Sequence, residues 1–114
     1  MAVLASVWST ATSAQTAKGY WITNNDVTDV QGHAAYIAAN REHIQNCGGK
    51  YLILGGRQEI VEGQARSRHV VIEFKDYATA LGCNNSAEYA KVKMLRVGKS
   101  EGDTVVVEGI PPRP

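Results

Sequence analysis

The fold is decided by Gly48-Gly49-Lys50-Tyr51-Leu52-Ile53-Leu54-Gly55-Gly56, followed by Glu62-Gly63 and then Arg68-His69-Val70-Val71-Ile72-Glu73-Phe74. Two glycine pairs bracket a short apolar run, and a β-branched run ends in an acidic-aromatic pair. Apolar, β-branched runs of this length between turn residues read as strands. Lys50 to Leu54 is one strand and His69 to Phe74 is the next. Gly55-Gly56 is expected to form a bulge, after which Arg57 to Glu62 continues the first strand. Gly63-Gln64-Ala65-Arg66-Ser67 is the polar turn that joins the two.

Upstream, Lys18 to Asn24 alternates and is rich in aromatics, so it reads as an earlier strand. Thr28-Asp29-Val30-Gln31 has the spacing of a capping box, with the Thr28 hydroxyl taking an orphan amide. Val30, Ala34, Ile37, Arg41 and Ile44 then recur at steps of three and four, one face of a helix that ends near Cys47. Gly48 can take the left-handed stop. Tyr36, Asn40 and His43 form a polar stripe on this helix and read as a solvated edge. Downstream, Asp76 caps a short helix expected to fail at Gly82. Asn85-Ser86 caps another, running through Tyr89, Val92, Leu95 and Arg96 to Gly98. Thr104 to Glu108 is the last strand, and Pro111, Pro112 and Pro114 form a tail that cannot extend a ladder. The order β-α-β-β-α-β is the split arrangement of an α+β, ferredoxin-like fold with a four-stranded antiparallel sheet.

Read with these flanks, residues 17–110 resemble the family known as domain of unknown function 1330, and Ser86-Ala87-Glu88-Tyr89…Arg96 resembles one of its motifs. The resemblance implies a dimeric α+β barrel of the ferredoxin-like group. Cys83 and Asn84 depart from the family pattern, which has bulkier, often aromatic residues before the Ser-x-Glu-Tyr segment.

Bulk properties fit one small domain. The 114 residues allow one core, with 44% hydrophobic and 20% charged residues. A formal net charge of +1 and the lack of a Lys/Arg stripe argue against nucleic acid as a partner, and no apolar run reaches a membrane-spanning length. Residues 1–16 are rich in Ala, Ser and Thr and read as a flexible tail or the remnant of a signal peptide lacking its basic start. A signal would place the mature protein in the periplasm or outside the cell. Otherwise the cytoplasm is expected.

Strand parity sorts the side chains between the two sheet faces. Val70, Ile72 and Phe74 should face the helices, leaving His69, Val71 and Glu73 on the other side. Tyr20 and Ile22 oppose Trp21 and Thr23, and Leu52 and Leu54 oppose Tyr51 and Ile53. The expected open face carries Trp21, Tyr51, Ile53 and Val71, too apolar to leave in water, so a homodimer through that face is expected.

The same parity proposes a site. Glu73 and His69 lie on one strand face among apolar neighbours, a candidate general acid/base pair. Arg96 and Tyr89, with Trp21 and Tyr51, are candidate substrate-binding residues, Arg96 suiting a carboxylate through its fork. The plainer alternatives are that Glu73 bonds a neighbouring strand or an arginine, that His69 lies at the barrel rim, and that Arg96 satisfies helix carbonyls. His33 carries no functional argument.

The glycine pairs lack the spacing of a phosphate cradle. No metal site is expected from three dispersed histidines and two cysteines without a CxxC companion, and no cofactor is expected. Haem ligation would have only His69. Cys47 and Cys83 read as two buried thiols. A bridge is the alternative, and would be worth roughly 3–4 kcal/mol in the chain-entropy model. Three functions stay open: a cofactor-independent enzyme acting on an aromatic or carboxylate compound, a non-catalytic ligand-binding dimer, and a purely dimerising interaction domain.

Overall fold

The computed structural model describes residues 16–113. The expected N-terminal tail therefore lies almost wholly outside the described residues. In chain order the elements are strand β1 (Gly19–Val27), helix α1 (Val30–Asn46), β2 (Lys50–Leu54), β3 (Arg68–Phe74), α2 (Tyr77–Asn84), α3 (Ala87–Lys93), a 3₁₀ turn (Met94–Arg96) and β4 (Ser100–Glu108). The sheet runs β2-β3-β1-β4, with every neighbouring pair antiparallel. This is the ferredoxin-like arrangement expected, with the second helix divided into α2 and α3. No helix among the described residues is long and apolar enough to cross a membrane.

The helix ends follow capping chemistry. Asp76 accepts from the Thr79 amide and Ser86 from the Tyr89 amide, as the sequence indicates. Gly48 takes φ 75° after α1, the left-handed stop expected there. At the start of α1 the cap is Asp29, not Thr28. Its carboxylate accepts from the Gly32 amide, while the Thr28 and Asp29 amides are held by the Lys99 carbonyl. Helix α2 also runs past Gly82 to Asn84. A glycine inside a helix costs only about 1 kcal/mol, and the next residue is tied down.

That tie is a disulfide between Cys47 and Cys83, with Cα atoms 6.0 Å apart and a sequence separation of 36. The cysteines are therefore bridged and not the two thiols favoured from sequence. In the chain-entropy model a loop of this length is worth about 4 kcal/mol.

The hairpin between β2 and β3 also differs from expectation. The bulge falls at Leu52, between the pairs Tyr51–Ile72 and Ile53–Val71, and not at Gly55-Gly56. Arg57 to Glu62 is not a strand. Its potential partners upstream of β3 are turned back onto the end of β1 instead. The Arg66 guanidinium meets the Asp26 carboxylate at 2.9 Å, and Ser67 donates to it from its amide and its hydroxyl at 2.9 and 2.8 Å. These bonds, the Ser67 amide first, hold the Asp26 carboxyl below its usual pKa.

Register settles which side chains share a face. Trp21 pairs with Ile72 of β3 and Val106 of β4, and Tyr51 also pairs with Ile72. Trp21 and Tyr51 therefore face the helices, correcting the open-face assignment. Trp21 is 2% exposed, and its indole N–H donates to the Ala80 carbonyl at 2.7 Å. Its ring lies 5.5 Å from Phe74 and 5.0 Å from Tyr89, both tilted. The phase of β1 and the bulge at Leu52, upstream of Gly55-Gly56, account for both corrections. With Ile44, Ala80 and Cys83 these residues make the core.

The open face keeps its apolar character with different residues. One row crosses all four strands as Ile53, Val71, Ile22 and Val105, and the next as Lys50, Glu73, Tyr20 and Val107. Ile53 and Val105 are each about half exposed.

Trp21→Phe removes the hydrogen bond to Ala80 and part of a packed ring. Urea unfolding should show a loss of about 2–4 kcal/mol. A change below about 0.5 kcal/mol would mean that Trp21 is not a core residue.

Candidate functional site

The helix-ward face of the sheet does not close completely against the helices. A cavity of about 240 Å³ remains, floored by Trp21, Thr23, Asn25, Ile72 and Arg68 and roofed by Tyr36 and Asn40 of α1, Tyr89 and Lys93 of α3, and Arg96. The helix stripe that reads as a solvated edge is in fact the buried face of α1. His33, Asn40 and His43 are all buried, whereas Val30, on the expected core stripe, is 75% exposed. Buried polar groups on an amphipathic helix are unusual, and here they border the cavity or its wall.

The polar groups of the cavity fall into three sets. The first is cationic. Arg68, Lys93 and Arg96 line it, and neither a carboxylate nor a histidine does so among the described residues. The Arg96 guanidinium sits 5.7 Å from the centre of the Tyr36 ring, and the Lys93 ammonium 5.6 Å from that of Tyr89. The same field reaches His33 behind the wall. Burial first, then the charges of Arg68 and Arg96, lower its pKa and keep it neutral.

The second set is unpartnered. Among the described residues, the Oδ1 atoms of Asn25 and Asn40 are buried without a hydrogen-bond partner, as are both ring nitrogens of His33. An amide side chain can turn over, so each Asn offers a ligand either an acceptor or a donor. A buried polar group left alone costs about 1–3 kcal/mol, which a ligand or a water in the cavity would recover.

The third set is phenolic. The Tyr36 and Tyr89 hydroxyls lie 2.8 Å apart. Burial, with the neighbouring Tyr89 adding to it, raises the Tyr36 pKa well above the usual phenol range, although Arg96 works against this. Burial raises Tyr51 likewise, opposed by Arg41 and Arg68.

The residues expected to bind substrate are thus brought together, but not with the expected acid/base pair. Trp21, Tyr51, Tyr89 and Arg96 all line the cavity. Glu73 and His69 stay on the open face, on the other side of the sheet. They are four residues apart, about 13 Å along a strand, and each has another partner. The Tyr20 hydroxyl donates to the Glu73 carboxylate at 3.1 Å, and His69 Nδ1 meets Asn24 Oδ1 at 2.6 Å. Burial and this Glu73 contact raise the Tyr20 pKa. His69 therefore does not serve Glu73 as a relay. Asn25, Asn40, Tyr36 and Arg68 are cavity residues that sequence reasoning missed. The available signal was the three- and four-residue spacing of His33, Tyr36, Asn40 and His43, as regular as that of the apolar stripe.

A second cluster lies outside the cavity. His43 Nε2 is 3.3 Å from Cys83 Sγ, 40 positions away in sequence, and 3.7 Å from Cys47 Sγ, one helical turn on. The His43 ring stacks on Tyr89 at 5.5 Å between centres.

The chain belongs to the family described as domain of unknown function (DUF1330), whose model matches residues 18–110. Its fold is similar to that of a protein of unknown function from Rhodopseudomonas palustris, with a TM-score of 0.65 at 13% identity over 91% of this chain and 89% of that one. It is also similar to a candidate antibiotic biosynthesis monooxygenase from Nitrosomonas europaea, with a TM-score of 0.56 at 15% identity over 84% and 93%. HapK from Hahella chejuensis gives a TM-score of 0.51 at 12% identity over 81% and 92%. No curated protein matches the chain significantly.

The raised Tyr36 pKa fixes the sign of an alkaline effect. The unfolded phenol ionises near pH 10 while the folded one resists, so the folded state loses this contribution as pH rises above about 10. Urea midpoints measured from pH 8 to pH 11 should fall less steeply for Tyr36→Phe than for the wild type. Equal slopes would show that Tyr36 is not held neutral by burial.

Proposed function

We propose that this protein binds a small anionic compound carrying a single aromatic ring in the cavity between its sheet and helices, and that it does so as a homodimer joined through the open sheet face. The observation that carries the ligand class is the charge of the lining. Three cations and no carboxylate among the described lining residues favour an anion strongly in a partly desolvated space. Arg68 and Arg96 can present planar forks to a carboxylate. Trp21, Tyr36, Tyr51 and Tyr89 supply faces for a ring, and Asn25 and Asn40 supply unmet hydrogen bonds for a ring hydroxyl or amine. A volume of about 240 Å³ falls below the roughly 300–1,000 Å³ of pockets for larger ligands, so one ring is the natural size. A fold shared with a candidate antibiotic biosynthesis monooxygenase is compatible with small-molecule handling.

The acid/base pair Glu73 and His69 is not carried into this reading, because the sheet separates it from the cavity. Chemistry on the bound compound would instead involve the Tyr36–Tyr89 hydroxyl pair, whose oxygens lie 2.8 Å apart in the cavity wall. Dimerisation is supported by the apolar row Ile53, Val71, Ile22 and Val105, a continuous stripe across the sheet that a second copy would cover.

Calorimetric titration with benzoate and salicylate, against their neutral amides, tests the ligand class. The acids should bind and the amides should bind at least about 10-fold more weakly. Arg96→Gln should weaken the acids by a similar factor, about 1.4 kcal/mol. Amides binding as tightly as acids would overturn the reading. For the dimer, light scattering at micromolar concentration should give twice the chain mass for the wild type and a folded monomer for Val71→Asp. A monomeric wild type would refute it.

A further inference from the structure

We propose that reduction of the Cys47–Cys83 disulfide turns this corner of the fold into a Cys₂His site for a zinc ion, with Cys47, Cys83 and His43 as its ligands. Three observations carry it. The candidate ligand atoms of the three residues all lie within 4.8 Å of one another. A tetrahedral ion about 2.3 Å from sulfur and about 2.0–2.1 Å from nitrogen sets sulfur–nitrogen edges of about 3.6 Å. The two edges from His43 Nε2 are 3.3 and 3.7 Å. Once the bond is broken, the sulfurs need only part to about 3.8 Å, and half-buried Cys47 has room to rotate.

The second observation concerns the imidazole. In the oxidised form Nε2 lies 3.1 Å from the Cys83 carbonyl oxygen, and as a donor there it would have no lone pair to offer. Ligation requires the proton to move to Nδ1. The carbonyl is not orphaned by this, because the Ser86 hydroxyl donates to it at 2.9 Å. The third is access. The cluster opens into a surface groove whose walls include Glu42 and Glu88, so a fourth position can take solvent or a carboxylate.

The chemistry balances with a dithiol as reductant. One of its thiolates attacks a protein sulfur to give a mixed disulfide, and its second sulfur then closes on the first. This yields two protein thiols and the oxidised reductant. Zinc next displaces the two thiol protons and forms two Zn–S bonds and one Zn–N bond. The bound ion would hold the dithiol against reoxidation and would sit against Tyr89, the cavity wall, through the stacked His43 ring.

The test compares the full chain, oxidised and reduced with an excess of a dithiol later removed, by zinc titration against a chromophoric chelator. The reduced chain should take one zinc ion per chain and the oxidised chain none. His43→Gln, reduced, should bind at least about 10-fold more weakly while still forming the disulfide on reoxidation. Near-ultraviolet circular dichroism of the zinc-bound reduced protein should keep the folded aromatic signal, and zinc should raise its Tm. Should the reduced chain unfold without metal, zinc should refold it. Equal binding by both redox forms, equal binding by His43→Gln and wild type, or a zinc-bound chain that stays unfolded would each overturn the proposal.

Discussion

Everything in this molecule depends on the direction in which Trp21 points. The side-chain period of a strand is two, so moving β1 by one residue would exchange its entire inner and outer sets. The indole N–H bond to the Ala80 carbonyl and the tilted stacking on Phe74 and Tyr89 fix that phase. With Trp21 inside, Thr23 and Asn25 follow it to the helix-ward side, and Tyr20, Ile22 and Asn24 are turned out. The cavity floor and the open face are both consequences of this one anchored ring.

The two faces carry different kinds of chemistry as a result. On the inner side, aromatic rings, two unpartnered amides and three cations surround a space that the helices do not fill. Such a space is costly to keep, since voids and unmet hydrogen bonds both destabilise. A folded domain this small retains it only against the support of a well-packed remainder, here the Trp21 cluster and the Cys47–Cys83 bridge. On the outer side, an apolar row runs uninterrupted through Ile53, Val71, Ile22 and Val105. Among its polar neighbours Tyr20 bonds Glu73 and Asn24 bonds His69, while Lys50 and Asp103 share the face by register. The bonded pairs lose little when the face is covered, whereas Lys50 and Asp103 need solvent or a partner at its edge.

Much of the architecture is legible in the sequence, for local reasons. Asp76, Ser86 and Gly48 mark helix ends by chemistry confined to one turn, and the β-branched run of β3 fixes its inner face as Val70, Ile72 and Phe74. What is hidden depends on partners far along the chain. Lys18-Gly19-Tyr20-Trp21-Ile22 carries large apolar residues on both faces, so composition alone cannot set its phase; pairing with Ile72 and Val106 does. The bulge at Leu52 depends on how β3 receives β2, not on the nearby glycines. Cys47 and Cys83 meet only because α2 packs beside the end of α1. The candidate site is half legible. Trp21, Tyr51, Tyr89 and Arg96 do converge, but on the side of the sheet away from Glu73 and His69. Asn40 and His43 read as a solvated edge because a polar helical stripe looks the same in sequence whether or not something covers it.

The division of labour between the faces is tested most directly by mapping where a small aromatic acid touches the protein. In the nuclear magnetic resonance spectrum of isotope-labelled protein, added benzoate should shift the indole N–H of Trp21, the side-chain amides of Asn25 and Asn40, and the Nε–H signals of Arg68 and Arg96. The methyl signals of Ile22, Val71 and Val105 should stay where they are. Shifts confined to those methyls, or to His69 and its neighbours, would put the ligand on the open face and contradict the account.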